Sequence, residues 1–125
     1  MSKFKGFRKA NHDCIVLVNE GGDAWANLPM YLNEVNHSPT GFEWGYYGSG
    51  PSQLSYAIVR YLAGKDTEQP EAKEFAELIY IPFKQDVIGN LPYDSWELEY
   101  NDAMDIVKEL NDRAGQRKLS LDKIL

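Results

Sequence analysis

The sequence predicts an α+β fold, with an N-terminal antiparallel sheet followed by two to three helices and one further strand. Three observations carry that expectation. Short β-branched and aromatic runs separated by turn clusters fill residues 1–47. Apolar residues at helical spacing dominate from Gly48 onward. One alternating segment, Ser95 to Tyr100, interrupts the helical part late. The chain is 125 residues long, which suits one domain over 1–125.

The elements follow in order. Phe4 to Arg8 reads as a short strand. Cys14 to Val18 is the clearest strand, apolar and ended by the turn cluster Asn19-Glu20-Gly21-Gly22-Asp23. Leu28 to Val35 alternates loosely and suggests a third strand, at an edge because of Pro29. Phe42 to Tyr47 reads as an aromatic strand. Gly48-Ser49-Gly50 opens a helix, with Pro51 suited to its first turn, and Gly64 closes it. Leu54, Ala57, Ile58, Tyr61 and Leu62 form its apolar stripe. A second helix starts near Pro70 on Ala72, Phe75, Ala76, Ile79, Phe83 and Val87, and Pro82 is expected to kink or break it. Trp96, Leu98 and Tyr100 alternate with Glu97 and Glu99 as a strand with one wet face. Asn101 or Asp102 caps a third helix, which Gly115 is expected to end.

Composition excludes several classes. With 43% hydrophobic and 26% charged residues the chain is not globally disordered. The N-terminus is basic with no apolar stretch behind it, so no signal peptide is expected, and no run is long enough to span a membrane. The lone Cys14, flanked by Ile15, Val16 and Leu17, reads as a buried thiol in a reducing compartment; a cytoplasmic location is expected, that of the host cell if the protein is phage-encoded. The net charge of −6 is uneven: +4 over residues 1–9, −12 over 10–110 and +2 over 111–125. An acidic body does not suit a nucleic-acid polymer. Two basic ends suit an anion pocket or pairing with the acidic body of a neighbouring subunit. Aromatic content of 13%, with three Trp and eight Tyr, points to a homo-oligomer, a dimer or higher.

Catalytic chemistry is not evident. His12 and His37 lack metal-ligand spacing, so no metal is expected. Neither a nucleophile elbow around Ser49 nor a Walker lysine is present, and no cofactor is called for. A Cys14–His12 dyad shares a strand face, but a structural thiol is the commoner use of such a residue. The informative stretch is Gly41 to Gln53, GFEWGYYGSGPSQ. Its glycines suit either a tight strand-to-helix turn, with Phe42, Trp44 and Tyr46 in the core, or a phosphate-binding helix start formed by Gly48, Ser49 and Gly50. Arg60 late on the first helix suits either the surface or a phosphate. Phe83 suits either the core or a stacking platform. Arg113, Arg117 and Lys118 are the clustered cations outside the N-terminal arm.

The block His37 to Leu54, HSPTGFEWGYYGSGPSQL, resembles the signature of a family of small bacterial and phage proteins. The likeness continues through Phe83-Lys84, Leu91-Pro92 and Trp96-Glu97-Leu98, and covers roughly residues 3–100. The chain is also similar in size and β-then-α order to the phage Thoeris anti-defence sponge proteins. That resemblance implies a non-enzymatic oligomer that sequesters cyclic ADP-ribose-type signals made by TIR-domain defence enzymes; some members also hold cyclic oligonucleotides. The partner expected is therefore a small anionic nucleotide, held by Phe83 with Arg113 or Arg117 and supported by Lys118, Arg60 and Gly48 to Gly50. The alternative is an acidic interaction inhibitor that mimics nucleic acid, with Glu68, Glu71, Glu74 and Glu77 as its face.

Overall fold

A computed structural model describes residues 2–64 and 70–124, with side chains described for 2–64 and 71–114. The order is β1 (Lys3–Arg8), β2 (Cys14–Asn19), β3 (Trp25–Asn27), α1 (Ser49–Gly64), α2 (Pro70–Asp86), a 3-10 turn at Ile88–Asn90, β4 (Ser95–Glu99) and α3 (Tyr100–Ile124). The fold is α+β, with one four-stranded antiparallel sheet in the order β3-β2-β1-β4. The late strand β4 thus returns to lie beside the first.

Strand parity divides the sheet. Phe4, Val16, Val18 and Trp96 point to one side and are buried there. Lys3, Lys5, Phe7, Ile15, Leu17, Glu97 and Glu99 have the opposite parity and belong to the other face. On the buried side lies α1, in which every residue from Gly50 to Leu62 is buried. A helix buried all round needs cover on every side. The sheet supplies one side, with Phe4 edge-on to Tyr61 at 5.8 Å. α2 supplies another, with Ser55 donating to the Tyr80 carbonyl at 2.5 Å. The irregular stretch from Leu28 to Tyr47 supplies a third.

Four local expectations change. The third strand is Trp25–Asn27, and Leu28 to Val35 is not a strand. Phe42 to Tyr47 is not a strand either. Both segments give up sheet pairing to wrap α1; Gln53 on the helix takes over backbone groups of the first, and in the second the Gly45 amide goes to the Ile88 carbonyl. α2 continues unbroken through Pro82. The carbonyl that Pro82 leaves without a donor belongs to Leu78, which is 55% exposed, so water can satisfy it. α3 begins at Tyr100 and passes Gly115 to reach Ile124. A single helical glycine costs only about 1 kcal/mol, and Gln116, Arg117, Lys118 and Leu119 favour helix. Among the described residues no helix is long and apolar enough to cross a membrane.

Candidate functional site

The block from His37 to Leu54 folds back on itself around α1. Gln53 is fully buried at the centre of this arrangement and makes all four of its hydrogen bonds. Its Oε1 accepts from the His37 and Ser38 amides at 2.7 and 3.2 Å. Its Nε2 donates to the Met30 and Val35 carbonyls at 2.7 and 3.1 Å. One side chain thus fixes both ends of the 30–38 segment. Nearby, Arg60 is 1% exposed and donates to the Glu34 carboxylate at 2.9 Å and to the Gly64 carbonyl at 2.6 Å. Tyr56 donates to the same carboxylate at 2.7 Å, and burial pushes its phenol well above the usual range.

A second anchor joins the block to the sheet. Arg8 grips Glu43 with both terminal nitrogens, at 2.8 and 3.1 Å, and donates from Nε to the Tyr93 carbonyl at 2.8 Å. Hydrogen bonding to Arg8 holds the Glu43 carboxyl below its ordinary range. Trp44 is buried and donates to the same Tyr93 carbonyl at 2.9 Å. Glu43 also presses on α1: a Cβ at Gly50 would lie 2.6 Å from the Glu43 Cβ. Gly50 is therefore the point where the Glu43 side chain packs on the α1 backbone, and it leaves no room for a side chain of its own.

Between Glu43 and β2 lies a cleft of about 540 Å³, lined by His12, Asp13, Cys14, Asn27, Ser38 and Thr40 among others. Cys14 is half-buried there rather than fully buried. Burial, reinforced by the Glu43 charge, pushes its thiol up to about 11. The thiol therefore stays protonated at neutral pH and supplies no thiolate to a dyad with His12.

The helix start differs from this scaffold. Tyr46 and Tyr47 are 50% and 58% exposed; of the three aromatics that a tight turn would place in the core, Phe42 and Trp44 are buried and Tyr46 is not. Both rings rest on glycine. A Cβ at Gly48 would come within 2.5 Å of the Tyr46 ring, and one at Gly89 would collide with the Tyr47 ring. Tyr47 donates to Asn90 Oδ1 at 2.7 Å, and the Asn90 amide donates to the last-turn carbonyls of α2. The Gly45 amide donates to the Ile88 carbonyl at 3.1 Å, which ties the loop down. Ser49 is exposed, and the first turn of α1 carries no acidic residue. Lys84 reaches in from α2 and donates to Ser52 Oγ at 3.0 Å. Among the described residues it has no ion pair. Lys84 through Ser52 and the Tyr46 ring through Gly48 thus adjoin one corner, the N-terminal turn of α1, with the Tyr47 ring beside them in sequence on Gly89.

The structure sorts the residues expected at a site. Gly48, Ser49 and Gly50 come together at this corner, the first two accessible and Gly50 buried beneath them. Phe83 is fully buried in the core, so its ring offers no face to a ligand within the protomer. It packs inward because the unbroken α2 keeps it on the apolar stripe. Arg60 is buried against Glu34 rather than lying between stripe and solvent. Arg113 is exposed and pairs with Glu109 on its own helix at 2.5 Å. The side chains of Arg117 and Lys118 lie outside the described residues, as does Glu68. Sequence reasoning missed Lys84, Tyr46 and Tyr47 as a group. Their signal was present: two tyrosines just before a helix start, and a lysine beside Phe83.

A family model matches residues 4–109 and is described as a family of unknown function, DUF6166. The chain belongs to the DUF6166 family. No curated protein and no solved structure matches it.

Proposed function

We propose that this DUF6166 protein is a non-catalytic binding module that sequesters a small anionic cyclic nucleotide, acting in the cytoplasm as an anti-defence sponge. The observation that carries the reading is the open corner at the start of α1. There Lys84 has no carboxylate partner among the described residues, and Tyr46 and Tyr47 are exposed yet seated on glycine. The chemistry of such a ligand matches this corner part by part. Phosphate oxygens accept from the Ser49 hydroxyl and the Lys84 ammonium at the positive end of the α1 dipole. A purine lies on a tyrosine face. Rings held in place lose little entropy on binding, which favours tight capture. The ligand therefore meets Gly48, Ser49, Tyr46, Tyr47 and Lys84, since the Phe83 ring is buried and Arg113 pairs with Glu109.

The experiment is incubation with candidate cyclic nucleotides, removal of free ligand, heat release and mass spectrometry. Ligand recovered intact from the protein fraction is the expected outcome. Ligand recovered cleaved makes the protein an enzyme, and no retained ligand removes the reading.

A further inference from the structure

The sheet has a second face that no core residue occupies. Phe7, Ile15, Leu17 and Trp25 lie on it, each half-buried and none part of the hydrophobic core. The strand register arranges this face in three rows, read from β3 to β4. The first row is Trp25, Asn19, Lys3 and Glu99. The second is Asn27, Leu17, Lys5 and Glu97, and the third is Ile15, Phe7 and Ser95 on β2, β1 and β4.

We infer that this face is a self-association surface, on which a second copy of the chain packs sheet to sheet about a two-fold axis running along the strands between β1 and β2. This goes beyond the ligand reading and rests on different residues. Such an axis lays each row on its own reverse. β1 then faces the partner's β2, and β3 faces the partner's β4. In the third row each Phe7 meets an Ile15, which buries two apolar pairs. In the second row the Lys5 stem crosses Leu17, and the Asn27 amide meets the Glu97 carboxylate. In the first row Asn19 is buried, its amide group bonded to the Gly21 N–H and the Gly22 carbonyl, and adds no contact, while Trp25 meets Glu99.

The last pairing decides the argument. The Lys5 ammonium already sits over its own Trp25 ring, 4.0 Å from the centroid. The two-fold therefore delivers that ammonium to the Glu99 carboxylate of the other copy, twice per dimer. Within one chain neither Lys5 nor Glu99 has an ion pair among the described residues, whereas Lys3 and Glu97 pair at 3.3 Å. An isologous interface needs a surface that complements itself, and these rows do so in charge and in apolarity. Two sheets packing this way keep their strands within about 30° of each other, so the row pairings survive the twist.

The test is sedimentation of the full chain with and without charge reversal. The wild type is expected at twice the 14.3 kDa chain mass at micromolar concentration. Lys5→Glu alone and Glu99→Lys alone are each expected to raise the dimer dissociation constant about tenfold or more, because each sets like charges against each other. Mixing the two variants is expected to restore a dimer, since both contacts then join opposite charges. An effect confined to one chain would not respond to mixing. Far-ultraviolet circular dichroism checks that each variant is folded, and Ile15→Lys supplies an independent monomerising change on the same face. A wild type that stays monomeric at about 100 μM overturns the inference. So does a mixture that stays monomeric, or a dimer that Lys5→Glu and Ile15→Lys both leave intact.

Discussion

The two halves of the block from His37 to Leu54 meet opposite fates. From His37 to Trp44 nearly every polar group is spent on the protein itself. Ser38 donates to the Gly41 carbonyl, Glu43 is gripped by Arg8, and Trp44 is buried with its indole on the Tyr93 carbonyl. From Tyr46 to Ser49 the same chain turns outward, with rings and a hydroxyl in solvent. One continuous motif therefore contains both a scaffold and a candidate surface for recognition. Glycine does two jobs here only a few residues apart. Gly50 lets Glu43 reach the helix backbone, whereas Gly48 seats a ring that faces water.

The largest expected effect belongs to the scaffold. Arg60→Ala leaves the Glu34 carboxylate, itself 11% exposed, without its cation, and a broken buried pair costs about 3–5 kcal/mol. Urea denaturation measures it. A loss under about 1 kcal/mol would show that water reaches Glu34 and that the wrap around α1 is looser than described. Next comes Gly50→Val. Overpacking against Glu43 is expected to cost about 1–3 kcal/mol, read by thermal unfolding. An unchanged melting temperature would mean the 43–50 contact gives way freely.

Smaller still is the open half. Tyr46→Ala and Tyr47→Ala are expected to alter stability by no more than about 0.5 kcal/mol, the usual range for exposed sites, while weakening nucleotide binding. If either variant unfolds the protein, the division between scaffold and surface fails. Gly48→Ala sharpens it: the new methyl displaces the Tyr46 ring, so binding should fall with little change in unfolding.

The gentlest probe is pH. The Glu43 carboxyl is held low by Arg8, so the folded state binds this proton less readily than the unfolded chain. Its contribution is present above the ordinary carboxylate range and is lost as pH falls through the folded value. Glu43→Gln should therefore reduce the acid sensitivity of unfolding, with the difference from wild type shrinking below that value.

The three helices and the strands read at Phe4 to Arg8, Cys14 to Val18 and Ser95 to Tyr100 were legible because their periods are clear: alternation at Trp96-Glu97-Leu98, and 3.6-residue spacing along Leu54, Ile58 and Leu62. Trp25–Asn27 is too short to show one. The sheet order was not legible, since nothing local says that Ser95–Glu99 returns beside Lys3–Arg8. Leu28 to Val35 misled because alternating apolar residues also suit a loop that dips into a core. Burial of Arg60 was hidden for a related reason. Its partner Glu34 is distant in sequence and lies in a segment with no regular structure. The glycine-rich helix start was legible from composition alone. Lys84 was not placed there, because its arrival depends on how α2 packs across α1.

The central claim is that the corner at the start of α1 holds an anionic nucleotide. Calorimetry with a cyclic ADP-ribose-type ligand, comparing wild type with Lys84→Ala, tests it most directly. Among the described residues Lys84 donates to Ser52 alone and has no ion pair, and it is half-buried, so its removal should leave the fold standing. The account expects measurable binding to the wild type and affinity weakened by roughly 1.5–3 kcal/mol in the variant, the size of a hydrogen bond to a charged group. Equal affinity in the two proteins, or no binding by either, would contradict it.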